Sequence, residues 1–374
     1  MTTKPIGLYV HTPLCVRKCN YCDFCSYPVS ESAWREEYIN TLCKEIDSYK
    51  DRGLSVDTVF FGGGTPSLLS SFEFDKICRH INSAFGLSAD AEFSIEANPK
   101  TLTKENLSAY ISCGVNRISM GVQSIHENEL KILGRIHGFA DVSESVELIR
   151  SCGIGNLNLD LMYGIPEQTI ESFSETIDTI FEFSPEHLSL YGLILEEGTP
   201  FWEKRNKLRI PEEDVECDMY FMALNKLYKR GYRHYEISNY SKEGHECRHN
   251  LKYWQNEEFV GVGVSAYSYL DGMRYGNSSD VSEYLSENGE TYKYSEEIDT
   301  EALAYEYVML RLRLRDGFSL TDYKTKFGKD FITADRRSRL DELVSFGYVE
   351  LAGDRIKLSD KGFYISNRIL TELL

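Results

Sequence analysis

The strongest constraint on the fold of this chain is a regular alternation of strand-like and helix-like segments in its first half. Short β-rich apolar runs are each followed by a segment with the spacing of an amphipathic helix. Six such units predict a parallel sheet wrapped by helices, and because a closed barrel needs eight, we expect an α/β fold with a partial (β/α)6 barrel. The predicted strands are Ile6–His11, Asp57–Phe61, Ala91–Ala97, Asn116–Gly121, Asn156–Met162 and His187–Leu193, and the predicted helices are Ser32–Tyr49, Phe72–Phe85, Lys104–Cys113, Val142–Cys152 and Glu171–Phe183.

The pattern changes near Pro211, which predicts two further parts after a barrel over residues 1–210. Residues 211–297 are expected to form a small α+β extension, and residues 298–374 a winged-helix-like domain of three helices and a hairpin. The extension's predicted elements are a helix at Asp214–Lys229 and strands at Tyr235–Tyr240 and Val260–Leu270. Those of the last part are helices at Ala302–Leu314, Leu320–Phe327 and Arg336–Phe346, and strands at Tyr348–Leu351 and Arg355–Leu358.

Charge and hydropathy narrow the classes of partner. The formal net charge of −18 argues against a surface for nucleic acid or for an anionic membrane. Residues 301–374 hold 13 basic and 12 acidic residues without a basic stripe, so DNA binding by the winged helix is not expected. No apolar run reaches the roughly 18 residues of a membrane-spanning helix, and the first ten residues lack the basic and apolar regions of a signal peptide. The sequence therefore predicts a cytoplasmic protein.

Four of the ten cysteines lie between Cys15 and Cys25, a density typical of a metal site in a reducing compartment. Cys15, Cys19 and Cys22 have spacings of four and three, with which three thiolates can each hold one iron of an iron–sulfur cube and leave the fourth iron open. The alternative is a zinc site in which Cys25 is the fourth ligand.

Other chemically suggestive residues follow the ends of the predicted strands. Gly62–Thr65 follows the second strand, Glu96 and Asp160 end the third and fifth, and Gln123 follows the fourth. Because the carboxyl ends of parallel strands meet on one face of such a barrel, we expect these residues to surround one site together with the cysteines.

The C-x3-C-x2-C spacing, with an aromatic residue before the third cysteine, resembles the radical S-adenosylmethionine superfamily. The resemblance implies a [4Fe–4S] cluster on Cys15, Cys19 and Cys22, with S-adenosylmethionine bound at the open iron and Cys25 outside the ligand set. It also implies that S-adenosylmethionine is contacted by Tyr9, Phe24, Gly63, Gly64, Thr65, Glu96, Gln123, Arg135 and Asp160.

Within that superfamily, the segments YVHTPLCVRKCNYCDF, FFGGGTPSLL, MGVQS, NLDLMYGIP and YEISNY resemble the oxygen-independent coproporphyrinogen oxidase-like group. Two functions compete there: the decarboxylating oxidase, and the haem chaperone family, HemW. Three features favour the chaperones. Phe24 stands where the oxidase pattern has a fourth cysteine, the chain starts five residues before its first strand where the oxidase has an extension, and His249–Trp254 matches the chaperones' HNxxYW motif.

The chaperone resemblance implies haem as cargo and a haem-accepting protein as partner. It also allows an electron donor and a homodimer. An imidazole can ligate haem iron and aromatic rings can enclose a porphyrin, although a single histidine more often only forms hydrogen bonds. Cys25 departs from the chaperone pattern, in which a polar residue commonly follows the phenylalanine. The implied haem contacts are His249, Asn250, Tyr253 and Trp254, with His245 and Cys247 as alternative ligands.

Overall fold

The computed structural model describes residues 5–287 and 292–374 of the 374-residue chain. The strands in these ranges are β1 (Ile6–Thr12), β2 (Leu14–Cys15), β3 (Tyr27–Pro28), β4 (Ser55–Gly63), β5 (Gly86–Ala97), β6 (Arg117–Gln123), β7 (Asn156–Tyr163), β8 (His187–Gly192), β9 (Arg233–Glu236), β10 (Asn239–Ser241), β11 (Phe259–Val262), β12 (Tyr267–Leu270), β13 (Met273–Asn277), β14 (Tyr292–Glu297), β15 (Phe318–Ser319), β16 (Val349–Ala352) and β17 (Arg355–Leu358).

Helices cover the outside of the sheet and form most of the C-terminal part. Their ranges are α1 (Arg35–Asp47), α2 (Ser71–Ala84), α3 (Lys104–Ser112), α4 (Glu127–Leu133), α5 (Phe139–Ser151), α6 (Ile170–Phe181), α7 (Pro200–Lys204), α8 (Glu213–Lys229), α9 (Arg248–Trp254), α10 (Val281–Ser286), α11 (Thr300–Arg311), α12 (Leu320–Phe327), α13 (Ala334–Ser345), α14 (Asp360–Tyr364) and α15 (Ser366–Leu373).

The predicted α/β fold is confirmed. Strands β1, β4, β5, β6, β7 and β8 pair in that order, all parallel, as six βα units require. Strand β11 adds a seventh parallel strand beside β1. Antiparallel strands then extend both edges, with β12 to β14 beyond β11, and β10 and β9 beyond β8. The segment after residue 211 therefore adds strands to the barrel sheet itself.

Side chains alternate between the two faces of the sheet, and this alternation separates the core from the site. In β6, Ile118 and Met120 belong to the apolar core under the helices, whereas Ser119 lines the interior of the barrel.

The start of helix α2 is fixed by local hydrogen bonds: the Ser70 hydroxyl accepts a hydrogen bond from the Glu73 N–H, and the Glu73 carboxylate accepts one from the Ser70 N–H. Such a reciprocal cap satisfies two backbone donors and sets where α2 begins.

Two predicted strands were wrong, because each is broken by a turn. Tyr235–Tyr240 divides into β9 and β10, which pair antiparallel around Ile237 and Ser238, with the Glu236 carboxylate accepting a hydrogen bond from the Ser238 N–H. Val260–Leu270 divides into β11 and β12, also antiparallel. There the chain turns through Gly263 at φ 100° and Ser265 at φ 60°, values that an extended strand cannot contain.

The C-terminal part has its own apolar core, separate from that of the barrel. It contains the predicted helices α11, α12 and α13 and the predicted hairpin of β16 and β17. The sequence prediction omitted β15, which pairs with β17, and the last two helices, α14 and α15. This part packs on α9 through Arg311, whose Nη2 donates to the carbonyl of Gln255 at 3.5 Å.

Candidate functional site

Three neighbouring pockets, called lobes below, lie inside and above the carboxyl ends of the parallel strands. The cofactor lobe adjoins the cysteine loop, the inner lobe extends into the barrel, and the outer lobe opens beside β11 and β12. Glu96 lines all three. The lobes are neighbours, since several residues line two of them: Ser119 and Asp160 line the cofactor and inner lobes, and Tyr9 and Tyr253 line the inner and outer lobes.

The three predicted cluster cysteines line the cofactor lobe on the loop that follows β1. Two of the sulfurs receive hydrogen bonds from other loops: Thr65 Oγ1, after β4, lies 3.6 Å from Cys15 Sγ, and Arg135 Nη1, after α4, lies 3.5 Å from Cys19 Sγ. Burial raises the pKa of the Cys22 thiol to about 11 and so disfavours its thiolate form. A bound iron would stabilise that thiolate. Three thiols with donors aimed at two of them fit an iron–sulfur cluster with one open iron.

No three ligating side chains converge on a single point within residues 5–287 and 292–374. A cube does not require such convergence, since each of its thiolates binds a different iron.

Cys25 lies outside the cofactor lobe. It lines the outer lobe, where its Sγ donates to the carbonyl oxygen of Ser279 at 3.3 Å. Its neighbour Phe24 is 58% exposed and lines the border between the cofactor and outer lobes. The carbonyl of Cys25 lies 2.8 Å from Nε2 of His11, whose Nδ1 lies 3.1 Å from the Tyr9 hydroxyl. The loop after Cys22 is thus anchored to β1.

The glycines after β4 bring backbone close to the cysteine loop. Gly63 has φ 109°, and a Cβ there would come within 2.6 Å of the His11 ring, while a Cβ on Gly64 would come within 2.6 Å of the Leu14 carbonyl. Only glycine fits such approaches.

The Glu96 carboxylate is held beside these glycines, since its Oε2 accepts a hydrogen bond from the Gly63 N–H at 3.1 Å. Burial, followed by the nearby Asp160 carboxylate, raises the pKa of Glu96 to about 8.

Gln123, Arg135 and Asp160, which the sequence predicts to contact S-adenosylmethionine, also line the cofactor lobe. Gln123 is held at φ 70°, where β6 slips in register, and its buried Oε1 has no hydrogen-bond partner within the described residues. The Arg135 guanidinium donates to the Gly121 carbonyl at 2.6 Å and to Asn98 Oδ1. Strained backbone and an orphaned buried acceptor are features that collect at ligand sites.

The HNxxYW segment forms helix α9, and its residues do not share one environment. His249, Asn250 and Tyr253 line the inner lobe, and Tyr253 also reaches the outer lobe. The His249 ring stacks on Phe60, and burial lowers its pKa to about 3. Trp254 lines none of the three lobes; its ring instead lies 5.8 Å from the Arg313 guanidinium of the C-terminal part.

His245 and Cys247, the two alternative haem ligands, line none of the three lobes. Cys247 is fully buried and its Sγ donates to Glu92 Oε1 at 3.5 Å. The geometry gives neither residue access to the cavity.

Sequence reasoning missed the polar lining of the inner lobe. The signal was present in the alternation of β6 and β7, where polar residues occupy every second position between apolar core residues. The missed lining residues are Phe60, Arg117, Ser119, Asn158, Ser189, Tyr191 and Asn239.

No helix in the described ranges is both long and apolar enough to cross a membrane.

Comparison with known proteins gives the family. The Radical SAM superfamily profile matches residues 9–180, and the HemN C-terminal domain profile matches residues 298–365. The solved structure of coproporphyrinogen III oxidase (HemN) from Escherichia coli, described as a radical SAM enzyme, superposes with a TM-score of 0.87. It covers 99% of this chain and 90% of that chain at 22% identity, which is a likeness of fold.

The curated relatives are similar over nearly their whole length. The haem chaperone HemW of Lactococcus lactis subsp. lactis is 35% identical over 377 residues, covering 100% of this chain and 98% of the relative. HemW of Bacillus subtilis is 35% identical, covering 98% of each chain, and HemW of Escherichia coli is 33% identical, covering 98% of this chain and 97% of the relative. Since such similarity extends from end to end, the chain belongs to the HemW family of haem chaperones.

Proposed function

We propose that this protein binds haem and passes it to a haem-accepting protein in the cytoplasm, using a fold that also holds a [4Fe–4S] cluster and S-adenosylmethionine. The observation that carries the proposal is the 35% identity to a haem chaperone over the full length of the chain. The site supports it, since the lobes lined by Tyr253 of the HNxxYW segment adjoin the lobe lined by the three cysteines, with Glu96 lining all of them.

The cluster would be held by Cys15, Cys19 and Cys22. When bound, it would supply an iron with an open position for the amino and carboxylate groups of S-adenosylmethionine and a route for one electron. Arg135 and Thr65 would tune the cluster through their hydrogen bonds to sulfur.

S-adenosylmethionine would lie in the cofactor lobe. Glu96, fixed by the Gly63 N–H, would accept a hydrogen bond from the ligand's amino group or ribose. Gln123 Oε1, which is buried and without a partner in the described residues, would accept another. The other proposed contacts on this lobe are Phe24, Gly64, Thr65, Arg135 and Asp160, with Tyr9 contributing from the inner side.

The haem macrocycle fits the outer lobe best, because its walls are aromatic. Its aromatic lining residues are Phe24, Tyr253, Phe259 and Tyr267. Flat aromatic walls stabilise a planar ligand by burial and ring stacking. Within the HNxxYW segment, Tyr253 and Asn250 are positioned to contact a ligand directly, and His249 contributes by holding Tyr253.

Haem titration of anaerobically reconstituted protein tests the proposal. We expect a saturable Soret change with one haem per chain. Tyr267→Ala, which removes an outer-lobe wall, should weaken binding about tenfold, whereas the control Tyr305→Ala changes an exposed tyrosine of α11 and should not. Absence of saturable binding would refute the proposal.

An anaerobic turnover assay tests the alternative function. Conversion of coproporphyrinogen III to protoporphyrinogen in the presence of dithionite and S-adenosylmethionine would identify the decarboxylating oxidase instead.

A further inference from the structure

Arg117 is a fully buried cation that is not among the proposed contacts to the cluster, S-adenosylmethionine or the haem macrocycle. Its side chain is 2% exposed and lines the inner lobe at the start of β6. Among the residues that the structure describes, the guanidinium forms neither a hydrogen bond nor an ion pair, and its buried Nε is without an acceptor. A buried guanidinium with unused N–H donors is costly unless something pairs with it.

The neighbouring carboxylates are directed elsewhere. Glu92 accepts hydrogen bonds from the backbone N–H groups of Arg248 at 2.9 Å and His249 at 3.0 Å, and so fixes the start of α9. Asp160 Oδ1 accepts from Asn158 Nδ2 at 2.7 Å. Burial lowers the pKa of Arg117, but the nearby Cys247, Glu92 and Asp160 together raise it above its ordinary value, so the guanidinium stays protonated. None of these groups accepts a hydrogen bond from it.

The inner lobe offers space beside this guanidinium and adjoins the outer lobe. Both lobes are lined by Tyr9, Glu96 and Tyr253, so a ligand bound in the outer lobe can extend a substituent into the inner lobe. The amide of Asn250 also lines the inner lobe and can donate to that substituent.

We propose that the inner lobe binds a carboxylate group, with the Arg117 guanidinium as its anchor. Planar guanidinium and carboxylate groups pair through two parallel hydrogen bonds, and such charge-assisted pairs are the strong ones. The carboxylate belongs either to a propionate arm of haem or to a separate small organic acid. Only the first source rests on the proposed haem-binding function.

Comparison of haem with its dimethyl ester separates the contribution of the propionates from that of the macrocycle. We expect the wild-type protein to bind haem about tenfold to a hundredfold more tightly than the diester, and Arg117→Met to lose this preference. Arg248→Met is the matched control, since Arg248 is also close to Glu92 but lines none of the lobes; it should keep the preference. If Arg117→Met does not fold, Arg117→Lys replaces it, and a reduced preference is still expected because the two-pronged donor is gone.

A second measurement uses sodium propionate, compared with sodium chloride at equal ionic strength, on thermal unfolding of the same proteins. A rise in Tm for wild type that is absent in the Arg117 variant supports the carboxylate site even if haem itself fails to bind, in which case the haem function falls and a small acid is the ligand. Equal haem preference in wild type and variant would exclude the haem propionate as the ligand, and together with a propionate response that does not depend on Arg117 it would overturn the proposal. So would a wild-type protein that shows neither a preference for haem over the diester nor a response to propionate.

Discussion

The Nε2 atom of His249 lies 2.8 Å from the hydroxyl oxygen of Tyr253, and its Nδ1 lies 2.9 Å from Oγ1 of Thr58. Both ring nitrogens of the motif histidine are therefore engaged within the protein, and the ring is buried against Phe60. The sequence suggests a haem ligand at this position, whereas the geometry describes a residue that positions Tyr253 at the border of two lobes.

Replacement of this histidine separates the two roles. His249→Phe keeps a ring beside Phe60 but leaves the hydroxyls of Thr58 and Tyr253 without their partner. We expect unfolding in denaturant to become easier by about 1–3 kcal/mol for each buried group left unpaired. Haem affinity should fall because Tyr253 is no longer held, while the Soret maximum of bound haem stays in place. A shifted maximum at full saturation would instead make His249 an axial ligand.

The two cysteines at positions 22 and 25 should behave differently in the cluster. Cys22 lines the cofactor lobe, whereas Cys25 lines the outer lobe and donates to the Ser279 carbonyl. Cys25→Ser should therefore keep about four irons per reconstituted chain, as expected for one [4Fe–4S] cluster. Cys22→Ser, the matched variant, should lose most of them. Iron and acid-labile sulfide analysis measures both, and a loss of iron on Cys25→Ser would place that thiol among the ligands.

The parts of this fold that sequence predicts well are those set by local pattern. The βα units follow from alternating runs, and the residues of the cofactor lobe follow from their places at strand ends. Missed features depend on distant segments: β11 joins β1 across about 250 residues of chain, and no local pattern near Phe259 specifies that pairing. Arg117 was missed for a related reason, because a charged residue at a strand start is usually solvent-exposed and only the closed barrel buries it.

S-adenosylmethionine binding should depend on pH through Glu96. Burial raises the pKa of this carboxyl to about 8, so it is mostly protonated at pH 6.5 and ionised above pH 8. Only the ionised form offers both oxygens as acceptors, so affinity should rise with pH by at most about tenfold per unit up to pH 8 and then level off. Glu96→Gln should bind more weakly and with a flat profile. Equilibrium binding to the reconstituted protein checks this, and a slope that persists in the glutamine variant would assign the titration to another group.

A second buried carboxylate should affect stability in the opposite pH direction from an ordinary ion pair. Glu45 on α1 accepts hydrogen bonds from the Gly263 N–H at 2.8 Å, the Asn277 amide at 2.7 Å and the Tyr284 hydroxyl at 2.6 Å, which tie α1 to the turn after β11, to β13 and to α10. Burial nevertheless raises its pKa from 4.5 to about 7. Because the folded state then binds the proton more tightly than the unfolded state, its contribution is most favourable below pH 4.5 and is lost as pH rises to 7.

We therefore expect Glu45 to reduce the free energy of unfolding by up to about 1.4 kcal/mol per pH unit across that window. The measurement is the difference between wild type and Glu45→Gln in urea unfolding at pH 5, 6, 7 and 8. Glu37→Gln removes an exposed carboxylate from the same helix and serves as the control, with no pH-dependent difference expected. If the wild-type minus Glu45→Gln difference stayed flat between pH 5 and pH 7, the pKa of Glu45 would not be raised in the folded state, and the three hydrogen bonds would outweigh burial.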